Sequence, residues 1–140
     1  MGQGKFDKIF DHVILKLKDL SPALSYHSID HTIDVIRQSE RIAKDEGINE
    51  KELFLLKIAA LYHDTGFLET YADHEMKSCS IFEEDSVKFN YSDGEKELIL
   101  DLIMATKVPQ KPRTLLQKII CDADLDYLGR NDFTEISLRL

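Results

Sequence analysis

A chain of 140 residues, 43% hydrophobic and 31% charged, is long enough for one domain with one apolar core. Its net charge of −8 argues against a nucleic-acid polymer as partner, because tracking a phosphate backbone needs a basic surface. A small phosphorylated ligand is still allowed, since a bound cation can supply positive charge locally.

No apolar run approaches the ~20 residues of a membrane span, so no membrane contact is expected. The opening "MGQGKFDKIF" has no secretory pattern, and Phe6 stands where a myristoylation signal needs Ser or Thr. Cys79 and Cys121 are too few for a disulfide framework or a zinc knuckle, which makes a reducing cytoplasm the expected location.

In chain order, "IFDHVILKLKDL" (9–20) has helical periodicity and stops at Ser21-Pro22. A long helix is expected from about Ser25 to Glu46, closed by Gly47. A third runs from Asn49, a good N-cap, to Asp64, with Gly66 as its stop. A fourth begins near Asp73 and a fifth near Ser92-Asp93; "VPQKP" (108–112) is a loop. The sixth starts near Arg113 and crosses "TLLQKIICDADLDYL" before Gly129. Short connections, no repeat and no strand alternation give an all-α fold, a compact bundle of about six helices in a single domain over 1–140. The terminal "NDFTEISLRL" is an amphipathic start without a cap or stop, so more helix is expected beyond it.

Three pieces carry chemistry. In "YHSIDHTIDV", His27 and His31 are one turn apart on the same helix face. Ile29, Ile33 and Ile36 cluster opposite, so the histidines face a second surface turned toward the interior. At the end of the apolar run "ELFLLKIAALYHD", His63 and Asp64 stand side by side. That pair either caps its own helix end or serves something that needs both an imidazole and a carboxylate. Finally, Asp122, Asp124 and Asp126 follow the apolar "LLQKII". Mixed imidazole and carboxylate ligands suit a divalent metal ion of intermediate hardness: Mn, Fe, Co or Zn, with Ni and Mg also admissible. They match structural zinc poorly, since it prefers thiolates in a closed shell.

His31, then His63-Asp64, then a distant aspartate in "ADLDYLG" resembles the H…HD…D signature of the HD-domain superfamily of metal-dependent phosphohydrolases. "YHSIDHTIDV", "LYHDTGF" and "IMATKVPQKPRTLLQKIICDADLDYLG" resemble its helical contexts, over roughly residues 26–130. The resemblance implies a metal held by His31, His63, Asp64 and Asp124. Asp124 follows an alanine as the family's last ligand does; Asp122 is the alternative, pointing about 200° away on a helix. It also implies that Asp64 takes a proton from the attacking water and that His27 protonates the leaving oxygen. His74 either assists the leaving group, anchors a phosphate or belongs to a second metal, for which a further histidine is missing. Asp34 could orient His31, while Lys107 or Arg130 could clamp a phosphate. The implied substrate is a phosphate ester or anhydride of a small, nucleotide-like molecule. A non-catalytic metal- and nucleotide-binding module of the same fold is the alternative. Neither the sequence nor the resemblance speaks to oligomeric state.

Overall fold

The computed structural model describes residues 2–19, 22–68, 73–107 and 110–128, with the side chains of 2–3, 22–28, 67–68 and 126–128 outside the description. Among the described residues there are six α-helices and no strand: α1 (Gly2–Leu17), α2 (Pro22–Asp45), α3 (Glu50–Tyr62), α4 (His74–Ser86), α5 (Asp93–Ala105) and α6 (Leu115–Leu128). A short 3₁₀ turn, Thr65–Leu68, follows α3. No helix among these residues is long and apolar enough to cross a membrane.

α3 is the centre of the bundle and packs against all five other helices. Residues Leu55 through Tyr62 are buried on every side, as a helix without a polar face must be. Each fully buried Leu or Ile contributes roughly 1.5–3 kcal/mol of apolar burial. Asn49 caps the exposed start of α3, its side-chain oxygen accepting from the Glu52 amide at 2.8 Å. Gly47 ends α2 with φ +72°, a conformation an L side chain resists. α5 opens with a reciprocal box: Ser92 Oγ accepts from Glu95 N, and the Glu95 carboxylate accepts from Ser92 N.

The starts of α1 and α2 differ most from the sequence reading, and α3 ends at Tyr62 rather than Asp64. α1 starts at Gly2 rather than near Ile9, because Phe6 continues the buried stripe Ile9, Val13 and Leu17 back by one turn. α2 starts at Pro22, whose fixed φ suits the first helical position, rather than at Ser25. α2 buries one face, running through His31, Thr32, Val35, Ile36, Ser39 and Ala43, between α3 and α6. α6 packs against α2, and His31 of one meets Asp124 of the other.

Candidate metal centre

The site forms where the third turn of α2, the C-terminal end of α3 and the last turns of α6 meet. α3 stops because side chains take its final carbonyls. His63 donates from Nδ1 to Ala60 O at 2.6 Å, and Thr65 Oγ1 donates to Tyr62 O at 2.7 Å. The first of these bonds does two things at once. It caps the helix, and it orients the imidazole so that Nε2 faces inward.

His63 is 1% exposed, and its Nε2 makes no hydrogen bond. Around it stand Asp64 Oδ2 at 3.4 Å and Asp124 Oδ1 at 3.4 Å. His31 Nε2 completes the group, 3.0 Å from Asp124 Oδ1 and 3.3 Å from Asp64 Oδ2. The two imidazole rings lie 5.3 Å apart between centroids. One atom each of His31, His63 and Asp124 lies within 4.8 Å of the others. Ligands held about 2.0–2.2 Å from one ion stand roughly 3–4 Å from each other, so a group with these spacings could hold one.

The electrostatics agree. Burial works against a charged His63, but the Asp64 and Asp124 carboxylates and the Ala60 carbonyl outweigh it and raise its pKa to about 10. Burial likewise opposes ionisation of Asp124, yet His31 and His63 hold its carboxyl well below the usual range. Asp64 is also lowered: burial and Asp124 oppose, while His63, the His74 hydrogen bond and His31 prevail. Two ionised carboxylates beside buried imidazoles demand positive charge at the point where they converge. Protons can supply it, and so can a divalent cation.

Residues around this centre hold it in place. Gln110 Nε2 donates to Asp124 Oδ2 and to the Thr106 carbonyl, each at 3.1 Å, leaving Oδ1 for the histidines. His74, the first residue of α4, brings Nε2 to 3.0 Å from Asp64 Oδ1 and 3.2 Å from Glu75 Oε2. Glu75 is itself buried. Lys107 follows α5 and pairs with Asp73 at 3.1 Å, immediately before His74.

Thus His31, His63, Asp64, His74 and Asp124 come together, while Asp122 is exposed on the other side of α6. Asp34 is half-buried, one turn along α2 from His31. The side chains of His27 and Asp126, and all of Arg130, lie outside the described residues. Gln110 and Glu75 were not identified from the sequence. Glu75 adjoins His74 and was within reach of that reading; Gln110 sits in an irregular segment where no periodicity points inward. Gly66 is not the stop of α3 but part of the 3₁₀ turn beyond it.

The chain has no match among curated proteins or among solved structures. The HD domain family model matches residues 28–126, which includes the whole cluster from His31 to Asp124. A His/Asp group able to hold a divalent metal, on an all-α fold and within that match, agrees with a family of metal-dependent hydrolases: the chain belongs to the HD domain family.

Proposed function

We propose that the chain is a metal-dependent phosphohydrolase, cleaving a phosphate ester or anhydride of a small, nucleotide-like molecule. The observation that carries the reading is His63 Nε2. It is a buried ring nitrogen, oriented by Ala60, facing two carboxylates with no hydrogen bond of its own. A divalent ion held by His31, His63, Asp64 and Asp124 would supply Lewis acidity, activating water and polarising a phosphoryl oxygen.

The chain's own residues take the remaining tasks. Asp64 reaches the centre with Oδ2 and His74 with Oδ1, so one carboxylate links the ligand group to a second imidazole. In this reading it also accepts the proton of the attacking water. His74 is the side chain to meet the phosphate or the leaving oxygen. Lys107, close by through Asp73, gives the surrounding carboxylates a cationic counterpart for an anionic substrate. The role of His27 as proton donor to the leaving group rests on the family resemblance.

The test is stoichiometric metal analysis after dialysis, followed by a screen of phosphomonoesters, diesters and nucleotides with added Mn²⁺ or Co²⁺. Turnover is expected in the native chain and absent in Asp64→Ala. Turnover retained in that variant ends this mechanism. Stoichiometric metal and nucleotide binding without product would support a binding module instead.

A further inference from the structure

The junction between the 3₁₀ turn and α4 carries two features that cost the chain stability. A Cβ built on Gly66 would lie 1.8 Å from the His74 carbonyl oxygen, 2.7 Å from its carbonyl carbon and 3.0 Å from its Cα. These are backbone atoms at the head of a helix and cannot swing aside. Only a residue without a side chain lets α4 seat this closely. Next to the seat, Asp73 has φ 50° and ψ 39°, the left-handed region that non-glycine residues avoid. As the residue preceding α4 it also makes no side-chain cap bond. It gains neither relief from strain nor a helix cap.

A clasp holds the seat shut. Ser78, fully buried on the next turn of α4, accepts from Gly66 N and donates to His63 O, both at 2.8 Å. The turn that carries His63 and Asp64 and the helix that carries His74 are thereby one unit. The side chain that gains from this seating is His74, whose Nε2 arrives 3.0 Å from Asp64 Oδ1. Strain that persists beside a binding centre is retained where it fixes a geometry.

We infer that Gly66 and Asp73 are positioning residues: the close seat and the left-handed turn together hold the His74 imidazole on Asp64. His74 then stands at the centre before any ligand arrives, rather than being recruited by one. The inference rests on the proposed hydrolase reading for its catalytic consequence only; the placement of His74 is tested independently of turnover.

The experiment records imidazole ¹H–¹⁵N correlation spectra of the full chain without metal, together with melting temperature and, with Mn²⁺, kcat and KM. In Gly66→Ala the His74 ring signals are expected to move toward those of a solvated histidine, while those of His12 stay in place. The fall in kcat should be roughly tenfold to a hundredfold, as for a misplaced reacting group, with a smaller change in KM. In a His74→Ala background the same Gly66 change should cost no further kcat, because the side chain it positions is gone. Unmoved His74 signals in Gly66→Ala, or additive losses in the double variant, would overturn the assignment. Asp73→Val decides the matter if Gly66→Ala does not fold, since a β-branched side chain resists the left-handed turn that Asp tolerates. The expected result is displaced His74 signals and lower kcat. His74 signals and kcat both as in the native chain would sink the proposal. Native imidazole shifts that confirm the His74–Asp64 contact in a chain without hydrolytic activity would leave the positioning intact and remove only the hydrolase reading.

Discussion

Two buried polar clusters adjoin one another at Tyr62 and His63, and they are built on opposite principles. The first centres on Asp85, which is 2% exposed. Its oxygens accept from Lys16 Nζ and from Tyr62 OH, each at 2.7 Å, and His12 Nε2 stands 3.2 Å away. Lys16 and Tyr62 each donate to the single carboxylate there. Burial resists the charge, but the Lys16 and Tyr62 bonds hold the Asp85 carboxyl below its usual range. Burial and that same bond push the Tyr62 hydroxyl far above its own. The second cluster turns the carboxylates of Asp64 and Asp124 toward the inward Nε2 of His63. Like charges converge there. The first cluster answers its one carboxylate from its own lysine and tyrosine and holds the fold; the second gathers two carboxylates whose charge protons or a divalent cation can balance.

The sharpest way to break this comparison is Asp85→Ala. Removing one member of a buried ion pair strands its partners, so we expect a loss of about 3–5 kcal/mol in urea unfolding. Metal affinity per folded molecule should stay the same. A metal titration that fails while the protein is still folded would show the two clusters to be one. Gln110→Ala is the converse change. It removes the donor that reserves Asp124 Oδ1 for the histidines, and such supporting bonds typically contribute 10–100-fold to metal affinity. Calorimetric titration with Co²⁺ should show that loss with little change in the melting temperature. An affinity as in the native chain would remove Gln110 from the site.

The helical frame and most of the cluster were legible because they rest on local rules. Asn49, Ser92 and Gly47 end or begin helices through bonds and angles set within four residues. His31 shares a face of α2 with apolar residues and His63 closes the apolar run of α3, so their inward direction can be read from their neighbours, whereas Asp124 is told from Asp122 by the family resemblance. What stayed hidden depends on contacts distant in sequence. His12 had no assigned role, yet it and Lys16 are one turn apart on α1 and both reach Asp85, which is 69 positions beyond Lys16. Gln110 has no helical period to give it a direction. Gly66 reads as a helix stop by every local rule, and only the arrival of His74 from the next helix shows what the missing side chain makes room for.

Acid titration sharpens the contrast further. Asp85 has a folded pKa below its unfolded value, so its contribution is fully present above about pH 4. That contribution is lost as pH falls through the lower folded value. Urea stability of the native chain should therefore drop on acidification below about pH 4. In Asp85→Asn this part of the drop should be missing, although the variant starts lower at pH 7. Parallel acid limbs in the two proteins would mean that Asp85 is not the carboxylate that sets the slope.

The smallest effect probes the boundary between the clusters. Tyr62→Phe keeps the ring edge-on to Phe82, at 5.3 Å between centroids, and deletes only the hydroxyl. Asp85 then loses one donor but keeps Lys16, so about 1–2 kcal/mol of stability should go. The adjacent His63 should be unaffected, because its orientation comes from Ala60, one turn back along α3, and not from Asp85. Unchanged Co²⁺ affinity alongside the lower unfolding midpoint is the expected pair of results. A fall in both would mean that Asp85, through Tyr62, also aims the His63 ring, and the division between a cluster that holds the fold and one that awaits a cation would have to be abandoned.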